Sequence, residues 1–218
     1  MDLEPGEPAA GRWRVIPVTE LVESLYAAAG PVTGRPRIVA VDGRGGAGKT
    51  RIVDRLQVVA PSSAVVHTDD IAWHHSFFDW DELLAEHVLR PVRRGEAVDH
   101  RPRAWIDRDR PGSIAVPAGL DTVFVEGTGI VRRSLAPLLD ASVWIQVDRR
   151  VAARRLLARD GDDPAHRQMV ADWEAVERPF LLAERPWAHA TVVVAGSPVS
   201  DGSAPDELAV ADPVSSRS

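Results

Sequence analysis

The segment Gly43-Arg44-Gly45-Gly46-Ala47-Gly48-Lys49-Thr50 narrows what this chain can be more than any other. Two glycines five apart precede Lys-Thr, with the apolar run Ile38-Val39-Ala40-Val41 before them and helical periodicity after. Such a turn lets backbone N–H groups point inward around phosphate oxygens, and the dipole of the following helix favours the same charge. A lysine at this place reaches the β- and γ-phosphates of a nucleotide, and the next hydroxyl ligates Mg²⁺. Gly43, Gly45, Gly46, Ala47, Gly48, Lys49 and Thr50 are therefore candidate nucleotide-binding residues, with Arg51 beside them. Lys49 is also a catalytic candidate. It is the single lysine in a chain whose Lys and Arg total 26, at a place where a compact ammonium cannot be exchanged for a planar guanidinium.

The same residues also spell Gly43-x-Gly45-x-x-Gly48, a dinucleotide fingerprint, with the acids Asp69 and Asp70 about 20 residues further on. That alternative leaves Lys49-Thr50 and Glu126 without a role. A third is a glycine-rich turn that binds nothing.

Along the rest of the chain, helical spacing predicts a helix over Thr19–Ala29, and short apolar runs predict buried strands at Ile38–Val41, Val65–His67, Thr122–Val125, Val143–Val147 and Thr191–Val194. Helices are expected at Lys49–Val58, Phe77–Arg94 (bent or ended by Pro91), Arg149–Arg159 and Ala165–Leu182, with loops and short strands over 95–120. Strands alternating with helices predict a doubly wound α/β domain of about five parallel strands, of the phosphate-loop NTPase type, with its ligand at the strands' carboxyl ends. The expected organisation is an N-terminal helical extension (1–36), a kinase-like domain (37–195) with a small lid over about 154–166, and a Ser/Pro/Asp/Gly-rich tail (196–218) read as disordered.

Composition excludes several classes. The absence of cysteine removes disulfides, thiol nucleophiles and zinc–thiolate sites. No apolar run approaches the length of a membrane span, and the acidic start lacks the pattern of a secretory signal, so a cytoplasmic location is expected. A net charge of −6 argues against a nucleic-acid binder. His67, His74, His75 and His87 lack metal-ligand spacing and are read as strand-end or loop residues.

With its only lysine in the loop, the chain cannot carry the Asn-Lys-x-Asp motif of a GTPase. A small-molecule kinase needs a base for the attacking hydroxyl, acids around Mg²⁺ and cations over the transferring phosphoryl group. Asp69 and Asp70 follow the second parallel strand, Glu126 ends the third, and Arg154, Arg155 and Arg159 precede the polar break at Asp160–Pro164. The seven tryptophans would suit stacking on an acceptor ring or would fill the core and its edge.

Over about residues 37–195 the chain resembles the uridine kinases and related phosphate-loop nucleoside kinases. Val39–Thr50 is similar to their first strand and loop, Thr68–Trp73 to the segment carrying the catalytic base, and Phe78–Asp81 to a sugar-binding stretch. Val125–Gly127 resembles their magnesium-site pair, Arg154–Asp160 their lid helix, and Arg185-Pro186 with Ala190 the approach to the last strand. The resemblance implies Asp70 as base, Arg155 and Arg159 on the phosphates, and Thr50, Asp69 and Glu126 around Mg²⁺. It further implies Asp79 and Trp73 on the acceptor, with Trp105 and Arg110 from the base-reading segment. ATP and Mg²⁺ are the implied cofactors. The implied partner is a nucleoside-like hydroxyl compound, with homo-oligomerisation possible. Arg103 and Arg108 stand where that family has a Tyr and a His, so uracil would not be read in the same way, and Arg51 replaces a small hydroxyl residue. A kinase for another alcohol and a nucleotide-binding regulator remain the alternatives.

Overall fold

The chain, described by a computed structural model over residues 1–161, 163–197, 204 and 206–213, begins with strand β1 (Arg14–Pro17) and helix α1 (Val18–Ala29). Strand β2 (Arg37–Gly43) leads through the glycine-rich turn into α2 (Lys49–Val59), followed by β3 (Ser63–His67) and the short α3 (Thr68–Ala72). Next, α4 (Asp81–Leu84), a π-turn at Ala85–Leu89 and α5 (Arg90–Arg93) run on as one helical stretch. The wider turn ahead of Pro91 relieves the clash its ring would make in a regular helix, so the proline does not end the stretch.

A small antiparallel pair, β4 (Val98–His100) and β5 (Ile114–Val116), encloses α6 (Arg103–Asp107). The chain then returns through β6 (Thr122–Glu126), β7 (Ala141–Gln146), α7 (Arg149–Asp160), α8 (Pro164–Glu184), β8 (Val192–Ala195) and β9 (Glu207–Ala211). Among the described residues no helix is long and apolar enough to cross a membrane.

Seven strands form one sheet in the order β1-β9-β8-β7-β2-β6-β3. The five expected strands are its parallel core, with β2 between β6 and β7. Side chains along β2 alternate: Val39 and Val41 pack with Leu21, Leu25 and Leu56 of α1 and α2, while Ile38 and Ala40 pack with Leu84, Val88 and Leu89. A third cluster joins Trp144 of β7 to Leu181 of α8 and Trp187. Because β2 has neighbours on both sides and β3 lies beyond β6, the loop after β2 opens at a switch point of the sheet. The dinucleotide fold pairs the strand after the first helix directly with the first, so this order disfavours that alternative.

The tail differs from expectation. Glu207–Ala211 forms a strand that pairs antiparallel with both β1 and β8, with Leu208, Ala209, Val210 and Ala211 buried. Averaged over the tail, polar residues hide this run of four apolar residues, whose hydrogen-bond partners come from distant parts of the chain. Residues 198–203, 205 and 214–218 lie outside the described residues, as does Asp162 in the expected lid break.

The N-terminal segment is more than a helix. Glu4 and Glu7 are buried among cations. Arg44 of the phosphate loop contacts Glu4 at 3.3 Å and Glu7 at 3.5 Å. Arg149 of α7 and Arg178 of α8 also reach Glu4, at 3.4 and 3.1 Å.

Candidate active site

The turn after β2 has the shape its glycines allow. Gly46 takes φ +76°, and a Cβ there would lie 2.3 Å from the carbonyl oxygen of Ala152 in α7, so the loop can approach that helix only without a side chain. Lys49 Nζ is held by the carbonyl oxygens of Gly43 (2.9 Å) and Arg44 (3.2 Å) and by Thr128 Oγ1 (2.9 Å). Asp42, fully buried, accepts the backbone N–H groups of Gly43, Gly129 and Val131 at 2.7–2.8 Å. It thereby ties the start of the loop to the turn that carries Thr128. Burial pushes its carboxyl up to about 6, against the three amides and Lys49, which favour the charge.

Glu126, at the end of β6, receives hydrogen bonds from Thr50 Oγ1 (3.2 Å) and His67 Nδ1 (2.6 Å) on the same oxygen. Burial works against its charge, but His67, Lys49 and Thr50 outweigh it and hold the carboxyl below its ordinary range. The same hydrogen bond raises the pKa of His67. A hydroxyl and a carboxylate beside a lysine-bearing phosphate loop are the hard oxygen donors that Mg²⁺ takes, together with phosphates and water. Among the described residues there is no cluster of three or more acidic, His or Cys ligands that could hold a metal ion by itself.

These groups open onto a cavity of about 510 Å³, within the range of small-molecule sites. Gly45, Gly46, Gly48, Lys49 and Thr50 line one end, with Glu126 and Asp69 beside them and Arg155 and Arg159 entering from α7. The rest of the wall comes from Trp73, Phe77 and Trp80 in the segment after β3, and from Met169, Val170 and Trp173 of α8.

Neither a protein-family model nor a curated protein matches the chain. Solved structures do. A candidate fructose transport system kinase from Silicibacter sp. TM1040 superposes with TM-score 0.56 at 16% identity, over 78% of this chain and 95% of that one. A candidate uridine kinase from Bacillus stearothermophilus gives 0.53 at 18%, over 80% and 98%. A D-glycerate 3-kinase from Cryptococcus neoformans var. grubii gives 0.54 at 13%, over 86% and 99%. The chain has the fold of the phosphate-loop kinases. The three names mention different compounds, and what these proteins share with this chain is the fold.

Within this kinase fold the expected site residues divide into two groups. The loop, Thr50, Asp69, Glu126, Trp73, Arg155 and Arg159 converge on the cavity. Gly43 and Ala47 are buried beneath the loop, and Arg51 stands exposed on the first turn of α2. Asp70 is turned to Arg110 at 2.6 Å, and Arg110 lies over the rings of Trp105 (3.6 Å) and Trp73 (5.0 Å). Trp105 is buried, with its Nε1 donating to the Asp70 carbonyl oxygen. Asp79 is exposed, accepts from Ser76 Oγ and does not line the cavity. Arg155 donates to the carbonyl oxygens of Gly196 and Gly46.

Thr128, Asp42, His67 and Glu177 escaped sequence reasoning. Glu177 of α8 is buried and accepts the Gly45 N–H at 2.6 Å, and burial raises its pKa. Trp173, one helical turn earlier, lies beside the same glycine. The spacing of Trp173 and Glu177 placed them on one helix face; which way that face turns is set by tertiary packing. Asp42 and Thr128 directly flank the first glycine and Glu126-Gly127, which was the available signal.

Proposed function

We propose that the protein is an ATP-dependent kinase of a small alcohol. The observation that carries this is the single cavity wall shared by the Lys49-bearing loop, Glu126 with Thr50, and Asp69. The acceptor's hydroxyl oxygen bonds to the γ-phosphorus, the bond from that phosphorus to the ADP oxygen breaks, and the hydroxyl proton passes to a carboxylate. Our candidate for that carboxylate is Asp69, because it lines the cavity. Asp70, the choice by family resemblance, is engaged with Arg110. Lys49 and the α7 arginines Arg155 and Arg159 face the place where charge builds on the phosphoryl oxygens. Thr50 and Glu126 would hold Mg²⁺, which would supply positive charge to offset that of the phosphates.

ADP release with MgATP, measured across a panel of hydroxyl compounds for the native protein and Lys49→Ala, tests the proposal. Acceptor-dependent release, lowered about 100-fold or more in the variant, is the expected result. Acceptor-dependent release that survives the substitution would overturn it, as would protection against heat by NAD(H) but not by ATP.

A further inference from the structure

We infer that the acceptor is an alcohol built on a flat, apolar ring rather than a polyol, an assignment that rests on the kinase reading above. The cavity has two kinds of lining: its charged groups come from Lys49, Asp69, Glu126 and the α7 arginines, whereas Ala72, Trp73, Phe77, Trp80, Met169 and Trp173 give it an apolar face that reaches Gly45 of the loop through Trp173. Of these, Phe77 and Met169 are half-exposed, so their apolar surface faces the opening rather than completing a core.

The wall is also braced. Phe77 meets Trp173 edge-on at 5.2 Å, while Phe78 stacks on both Trp173 (5.4 Å) and Phe180 (4.1 Å). Arg132 lies over Trp80 at 4.2 Å and over Phe180 at 4.6 Å, and donates to the Phe78 carbonyl oxygen at 2.6 Å. The rings beside the opening are thus held by α8 and by the loop after β6, and present fixed faces and edges to whatever enters.

Such a wall suits a ring, which gains area burial and offset or edge-on stacking. It penalises a polyol, whose several hydroxyls would leave water without replacement partners. The groups expected to serve a sugar are used elsewhere: Asp79 is exposed and accepts from Ser76, and Arg110 pairs with Asp70 and lies over the Trp73 ring. Beside the ATP phosphates, one hydroxyl on a short arm is all the charged groups must receive. Its oxygen bonds to the γ-phosphorus of ATP as the bond to the ADP oxygen breaks, and its proton goes to Asp69.

The test compares benzyl alcohol, 2-naphthylmethanol and 3-hydroxymethylpyridine with fructose, D-glycerate and D-ribose, using the full chain and MgATP. At least one ring alcohol is expected to exceed all three polyols in kcat/KM by tenfold or more. A polyol that exceeds every ring alcohol overturns the inference and leaves the kinase reading intact. Binding is read separately, without ATP, by quenching of tryptophan fluorescence. Saturable quenching by a ring alcohol, weakened at least fivefold in both Phe77→Ala and Trp173→Leu, supports the assignment; absence of saturable quenching by any ring alcohol overturns it. Phe77 is exposed, so its replacement leaves the fold intact even where that of Trp173 does not. Failure to bind ATP would instead defeat the kinase reading, whatever the fluorescence shows.

Discussion

Replacing Asp42 with asparagine would remove a buried titrating group while keeping its shape. The native carboxyl is raised from 3.8 to about 6, with desolvation the largest cause. Between those values the native protein holds a proton that the unfolded chain has already released. The unfolded state then binds fewer protons, so stability falls as pH rises through this window and is level above it. From the two pKa values the whole loss is about 3 kcal/mol, and the part between about pH 5 and about pH 8 is about 1.4 kcal/mol. The assay is urea unfolding of native protein and Asp42→Asn across that range. Other titrating groups are common to both proteins, so the native-minus-variant difference isolates Asp42. It should become less favourable to the native protein by about 1.4 kcal/mol, or tenfold in the unfolding constant, as pH rises over the window. A difference flat to within about 0.3 kcal/mol would refute the reasoning, for the amides of Gly43, Gly129 and Val131 would then hold Asp42 ionised throughout.

Asp69→Asn is expected to lower kcat about 100-fold or more with ATP binding retained, whereas Asp70→Asn is expected to act mainly through the Arg110 contact on KM. The reverse pattern in steady-state kinetics would make Asp70 the base. Glu177→Ala removes a carboxylate seated on the Gly45 amide, and MgATP should bind about three- to tenfold tighter by calorimetry. Unchanged or weaker binding would show that this carboxylate does not compete with phosphate. Leu208→Ala, in β9, should cost about 2–4 kcal/mol in chemical unfolding, and a loss under about 0.5 kcal/mol would deny that strand a place in the core.

The centre of the parallel core was legible because β2, β6 and β7 carry apolar runs next to turn residues, a pattern that suits burial on both faces, whereas β3 at the edge is only partly buried. The turn after β2 was legible because its glycines are spaced for a tight local conformation, which owes little to distant parts of the chain. What stayed hidden depends on long-range partners. Glu207–Ala211 is a strand only because β1 and β8 offer their edges. Asp69 and Asp70 are adjacent in sequence, and which of them faces the cavity follows from how α3 leaves β3. The role of Glu177 follows from the rotation of a helix whose own sequence suits several.

The Glu4 contacts bear on where this protein can be cut. By motif, the domain starts just before β2, and a chain trimmed there would keep every residue of the phosphate loop, Glu126 and both α7 arginines of the cavity. It would also strip Arg44, Arg149 and Arg178 of a shared, almost inaccessible counter-ion, leaving three guanidinium groups from the loop, α7 and α8 crowded together without it. The first dozen residues thus act as a keystone: remote from the chemistry in sequence, they set the mutual distance of the parts that perform it.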